Sequence, residues 1–420
     1  MNHVNEDDTT RSGPVAADPA AVGPAGDPVS SPSRSAAVVP LADSAAPRSA
    51  GELLPAPGIS PEPCVLAEAT IETLAARVRA WGCKPSHAAP LLRSFYARDG
   101  EASLPTGLWP EELRRRWPVE CVAETSLPGL RQASADGTVK LLRRLHDGRS
   151  VECVLMPDHR ADRAAGCVSS QVGCAMGCDF CATTKTGFER NLTSGEIVEQ
   201  FLALRREARA AGRRLQTLVF MGMGEPMLNL DAVLAAVERI AANGLGGLGW
   251  RQVTISTVGV IAGIERLADS GLGVHLAISL HAPDDATRAA LLPVGRRQRL
   301  EDIMAAADAY QAKTGRPVTL QYCLLRGVND SDAHAAALAA LVGRRRMHVN
   351  LLRYNPTGPS LLGRHYEPTP VEGEERFVAH LRAAAVVAHI RRSRGPEIDA
   401  ACGQLRRRTL PGGDAAAGSG

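Results

Sequence analysis

"GCAMGCDFCATT", residues 173–184, sets three cysteines, Cys174, Cys178 and Cys181, at the spacing C-x3-C-x2-C. A structural zinc ion or a closed iron–sulfur cluster takes four protein ligands. No fourth Cys or His follows the triplet at ligand distance. Structural zinc usually draws on two short pairs separated by a longer loop, and an electron-carrying ferredoxin closes its cluster with a fourth cysteine. Three packing cysteines on a loop after a strand are a poor alternative. The better fit is a 4Fe-4S cluster held on three irons, with the fourth iron open to a small molecule.

The flanking sequence gives that loop its scaffold. From Cys167 to about residue 402, strand-like runs alternate with helical ones. The strands include "QTLVFMGMG" (216–224), "RQVTISTVG" (251–259), "VHLAISLHAP" (274–283), "PVTLQYCLL" (317–325) and "MHVNLLRYNP" (347–356); "DAVLAAVERIAANG" and "LEDIMAAADAYQAKTG" are among the helices between them. Repeated βα units predict an α/β fold with a parallel sheet or partial (β/α) barrel. Chemistry in such a barrel sits at the C-terminal strand ends. Gly224, Glu225, Ser256, Ser279, His281 and Asn355 fall there.

Upstream, "GTVKLLRRLHDGRSVECVLMP" alternates around Asp147-Gly148 and predicts a strand pair over 136–160 leading into the core. Residues 65–130 carry helical spacing in "EATIETLAARVRAWG", "HAAPLLRSFYARDG" and "WPEELRRRW", a small helical domain and candidate RNA-binding module. Residues 1–60, rich in Ala, Pro, Ser and Gly, and residues 409–420 read as disordered tails.

The chain has 420 residues and a net charge of +3. The first fifty residues carry three basic and six acidic side chains, so the remainder carries a net +6. Arginines bunch at 114–116, 296–299, 344–346, 391–394 and 406–408. Each arginine can fork two donors onto a phosphate, which suits nucleic acid although it suits a solvated surface as well. No apolar run reaches eighteen residues and the start has no apolar signal core, so neither a membrane span nor secretion is expected. Ten clustered cysteines without a signal point to a reducing cytosol and a cytoplasmic protein.

The triplet, with Phe180 just before its last cysteine, resembles the radical S-adenosylmethionine (SAM) superfamily, and "FMGMGEPMLN" resembles the turn that binds the SAM amino group there. The blocks "CVSSQVGC", "RNLTSGEIVEQ", "GMGEP", "ISLHAP", "GVND" and "EIDAACGQL" together resemble the RlmN/Cfr family of radical SAM RNA adenine methyltransferases, from about residue 136 to 408. Thr184 stands where that family usually has glycine.

The resemblance implies a radical SAM catalytic domain over 161–408. It implies a 4Fe-4S cluster on Cys174, Cys178 and Cys181, and SAM held by Gly224, Glu225, Ser256, Ser279, His281 and Asn355. The implied catalytic residues are Cys402 as methyl carrier, Glu152 as base and Cys167 as the thiol that releases the product. A Cys167–Cys402 disulfide would follow, and two SAM molecules would be used per turnover. The implied partners are rRNA, tRNA or both, and an electron donor such as flavodoxin. Methylation at carbon 2 of adenine, at carbon 8 in the manner of Cfr, and a non-methylating iron–sulfur RNA-binding protein remain distinct readings. Cys64, Cys83, Cys121, Cys153 and Cys323 are expected to be structural.

Overall fold

The structure is a computed structural model that describes residues 38–40 and 62–405. A short edge strand, β1 (Val38–Pro40), comes first. After β2 (Cys64–Val65) three helices follow, α1 (Ile71–Ala80), α2 (Ala88–Ala97) and α3 (Glu111–Glu120). Thr70 and Thr73 cap α1 reciprocally, each side chain accepting the other's backbone N–H. The helices bury Leu74, Val78, Leu92, Phe95, Leu113 and Trp117. Glu120 is buried among them and is satisfied by Trp81 at 2.9 Å, Arg116 at 3.0 Å and Arg77 at 3.3 Å.

β3 (Cys121–Val122) pairs with β2, and an antiparallel run follows: β4 (Leu127–Ala133), β5 (Val139–Arg144) and β6 (Ser150–Pro157). Two expectations change here. The helical stretch ends before residue 130, because Pro128 and Gly129 suit a bulged strand better than a helix. The strand pair is therefore a three-stranded unit. β1 lies antiparallel along the free edge of β4, so three residues of the segment expected to be disordered are a strand. Residues 1–37, 41–61 and 406–420, which hold the rest of both expected tails, lie outside the described residues.

β7 (Arg163–Cys167) is antiparallel to β6, and from it onward the sheet is parallel. The pair β8 (Gln171–Gly173) and β9 (Phe188–Asn191) frames the cysteine loop. Then come α4 (Ser194–Ala210), β10 (Arg214–Phe220), α5 (Leu230–Ala241), β11 (Val253–Thr257), α6 (Ile261–Asp269) and β12 (His275–Ser279). The series continues with α7 (Asp285–Leu291), α8 (Leu300–Thr314), β13 (Val318–Leu324), α9 (Asp332–Val342), β14 (Met347–Arg353), α10 (Val371–Ala383) and β15 (Val387–Arg391).

The strand order is β1-β4-β5-β6-β7-β10-β11-β12-β13-β14-β15. Each parallel strand lies beside its predecessor, so the winding never reverses. That is the connectivity of an open (β/α) barrel rather than a doubly wound sheet. Ile255, Leu276, Ile278, Leu320, Tyr322, Val349 and Leu351 form part of its core. The helical unit is mounted on α4 through Glu199, whose buried carboxylate accepts the N–H groups of Thr125 at 2.7 Å and Ser126 at 2.9 Å. Among the described residues, no helix is long and apolar enough to cross a membrane.

Candidate active site

The cysteine loop runs from the end of β8 to the start of β9. Gly173 can open it only as glycine: its φ is +76°, and a Cβ there would lie 1.7 Å from the Gly187 carbonyl oxygen. The Cys174 N–H bonds that same carbonyl at 3.1 Å. Thr184 fits without positive φ and puts its hydroxyl to use, donating within 3.1 Å of the Cys178 carbonyl and 3.0 Å of the Cys181 carbonyl. Asp179 anchors the loop's far side through Tyr366 at 2.7 Å and the Leu362 N–H at 3.1 Å.

Burial pushes the Cys174 thiol up to about 12, and burial with the nearby Cys181 and Cys174 thiols drives Cys178 well above the ordinary range. These neighbouring thiols can ionise together only against a cation. Among the described residues, no three His, Cys, Asp or Glu side chains are gathered as one metal ion requires. A multi-iron cluster spreads its thiolates over separate irons, and this donor set fits that demand.

The expected SAM residues come together at successive strand ends. Gly224, at φ +101° after β10, packs so closely on Gln171 that a Cβ would lie 2.6 Å from that side chain. Glu225 is 2 % exposed and is pushed up to about 7 by burial, even though its carboxylate accepts the N–H groups of Val258 at 2.9 Å and Met227 at 3.0 Å. Ser256 is the penultimate residue of β11 and Ser279 the last of β12. His281 adopts φ +58°, a strained backbone for a non-glycine residue. Burial and then Arg288 lower its imidazole to about 3, so it is neutral. Its Nδ1 accepts the Cys323 N–H at 3.0 Å, which leaves the hydrogen on Nε2. Asn355 follows β14 and is buried, with its amide 3.3 Å from the Arg353 carbonyl.

The remaining three residues meet on the antiparallel side. Lys140, Val154 and Cys167 stand opposite one another across β5, β6 and β7 and so share a face. Glu152, two residues before Val154, points to that face too. It pairs with Lys140 at 3.1 Å, both side chains being at most 2 % exposed. Lys140 also donates to the Asp399 carbonyl at 3.2 Å, three residues before Cys402. Cys153, next to Glu152 in β6, lies on the opposite face and is fully buried, which raises its thiol.

Cys402 closes the arrangement. Its segment is bonded to the cysteine loop, with the Ala182 N–H donating to Gly403 at 2.7 Å and the Thr183 hydroxyl to Leu405 at 2.6 Å. Burial raises the Cys167 thiol first and the Cys402 thiol raises it next, so the two sulfurs are within electrostatic reach. Solvent reaches Cys402, yet surrounding protein raises its thiol while Arg391 opposes that shift.

Sequence reasoning missed Lys140 and Arg288. Cys323, expected to be structural, is buried in an apolar cluster with Phe180, Leu291 and Tyr354, and burial raises its thiol. Of the arginine bunches, Arg115 and Arg116 pair with Glu112 within their own helix. Residues 406–408 lie outside the described residues.

These features define a radical SAM enzyme, and the Radical SAM superfamily model matches residues 168–339. A relative from Opitutus terrae, named "Probable dual-specificity RNA methyltransferase RlmN 1", is 65% identical over 341 residues, covering 81% of this chain and 96% of its own. An RlmN from Thermosynechococcus vestitus is 43% identical, covering 80% of this chain and 97% of its own. The crystal structure of a radical SAM methyltransferase from Sphaerobacter thermophilus superposes with a TM-score of 0.75 at 40% identity, covering 82% of this chain and 99% of that one. The chain belongs to the RlmN family. Membership implies a 4Fe-4S cluster and SAM.

Proposed function

We propose that this protein methylates carbon 2 of an adenine in RNA, by way of a methyl group carried on the Cys402 sulfur. The observation that supports this reading is that Glu152 and Cys167 share one face of the β5–β7 ladder, which Lys140 ties to the segment carrying Cys402. The relatives' description as dual-specificity RNA methyltransferases supports RNA as substrate and is compatible with both rRNA and tRNA.

Carbon 2 lies between two ring nitrogens and is too electron-poor to attack a methyl sulfonium. When bound, the cluster and SAM supply the electron and the radical that make a carbon–carbon bond there accessible. The chain's own work comes before and after that event. Cys402 presents the carrier methyl, and its carbon becomes bonded to the ring, leaving RNA attached through sulfur. Glu152, paired in its buried place with Lys140, removes the ring proton as the electron lent for radical formation is given back. The Cys167 thiolate attacks the Cys402 sulfur, forming S–S and breaking S–C. The bonding pair leaves with carbon, which takes a proton to become the methyl group. Two SAM molecules are consumed per turnover, and a flavodoxin-type donor returns reducing electrons. The target base must be unstacked to reach the mouth.

Mass spectrometry of nucleosides from rRNA and tRNA treated with the reconstituted protein tests the reading. It calls for 2-methyladenosine. 8-Methyladenosine would move the chemistry to the Cfr position, and no methylated adenosine would contradict both.

A further inference from the structure

Arg288 is among the largest fully buried side chains, at 0 % exposure. It projects from α7, whose N-terminus Asp284 caps by accepting the Thr287 N–H at 2.8 Å. The far end of that helix touches the cysteine loop, where the Asp179 N–H donates to the Leu291 carbonyl at 2.9 Å. One guanidinium nitrogen, Nη2, donates to the Val258 carbonyl. Nε and Nη1 are buried without a hydrogen-bond partner among the described residues.

Such a side chain is costly. A buried guanidinium needs an anion and satisfied donors, and two open N–H groups leave it short of both. Its charge senses the Cys178 thiol and Asp285, but neither accepts a hydrogen bond from it. The geometry beside it supplies a reason. Val258 gives its N–H to the Glu225 carboxylate and its carbonyl to Arg288. A buried acid and a buried base therefore flank one residue at the end of β11, next to the cysteine loop. A zwitterionic amino acid carries the complementary pair, an ammonium for Glu225 and a carboxylate for the guanidinium fork.

We propose that Arg288 binds the α-carboxylate of SAM, forming with Glu225 a recognition pair for the methionine end. The assignment rests on the reading that SAM occupies these strand ends. It commits the two open donors to a ligand rather than to the fold.

The test uses the full-length protein with its cluster reconstituted anaerobically. Affinities for SAM and for decarboxylated SAM are measured by equilibrium dialysis, beside iron content and absorbance. Charge-assisted hydrogen bonds of this kind correspond to about a 10- to 100-fold change in affinity. Arg288→Met should weaken SAM by about that factor while keeping its iron. It should bind decarboxylated SAM within about twofold of wild type, since that ligand lacks the group Arg288 holds. Arg288→Lys, which keeps the charge but not the fork, should fall between.

Equal weakening of both ligands would make Arg288 a structural residue and overturn the assignment. Unchanged SAM binding in Arg288→Met would overturn it too. Loss of iron in both variants would assign Arg288 to the cysteine loop instead. Failure of the iron-loaded wild type to bind SAM would remove the site reading itself, a result separable from any effect of the variants.

Discussion

The parallel strands β7 to β15 and the antiparallel strands β4 to β6 contribute to one mouth by different means. On the parallel side, most candidate site residues sit on loops just past strand ends, namely the cysteine triplet, Gly224-Glu225, His281 and Asn355, while Ser256 and Ser279 lie in the last residues of β11 and β12. Backbone there is free to take positive φ and close approaches, and hydrogen bonds between loops hold it. On the antiparallel side, Glu152 and Lys140 lie within strands, buried, and act through the regular alternation of the ladder. The first arrangement suits gripping a cofactor from several directions. The second suits holding one charged group immobile where water would otherwise disperse its proton chemistry. Loop position confers reach and strand position confers rigidity, and the reaction proposed for this site needs both.

The comparison can be broken at its strongest point. Replacing Cys174, Cys178 or Cys181 with Ala should abolish iron–sulfur absorbance and all SAM cleavage, whereas Glu152→Gln should retain both and still fail to release product. Iron analysis and measurement of 5′-deoxyadenosine would expose the split. Loss of cleavage in Glu152→Gln would mean that the two regions do not act separately.

The buried pair offers the next effect. Lys140→Met leaves the Glu152 carboxylate buried without its cation, which should cost about 3 kcal/mol of stability. The double variant Lys140→Met/Glu152→Gln should recover much of that loss, and denaturant unfolding of all four proteins measures the coupling. Additive losses would mean that Lys140 matters mainly through its bond to the Asp399 carbonyl. Gly173→Ala strains a left-handed residue and drives a Cβ into the Gly187 carbonyl, so it should cost about 2 kcal/mol or more and reduce iron retention. The smallest change is expected from Thr184→Val, which removes one hydroxyl bonded to two loop carbonyls, for a loss of about 1 kcal/mol by thermal unfolding.

What the sequence revealed divides along the same line. The triplet, the βα alternation and the Gly-Glu turn are local patterns, so the barrel and its cofactor loops could be read from spacing and resemblance. The Lys140–Asp399 bond joins positions 259 residues apart, and no local pattern announces it. β4 is obscured in the sequence because Pro128 and Gly129 interrupt its strand-like alternation. Arg288 carries no local signal, since only its packing against β11 and the cysteine loop makes it an interior cation. Cys153 neighbours Glu152 in sequence, and strand alternation sends adjacent side chains to opposite faces.

The central claim is that Cys402 forms the bond to RNA and Cys167 breaks it. It is tested most directly with Cys167→Ala, incubated with RNA, SAM and reductant and then denatured. The account requires a protein–RNA band that survives denaturation and thiol reductant, with tandem mass spectrometry placing the nucleotide on Cys402 and no band in the Cys167→Ala/Cys402→Ala double variant. Normal release of methylated RNA by Cys167→Ala, with nothing trapped, would contradict it.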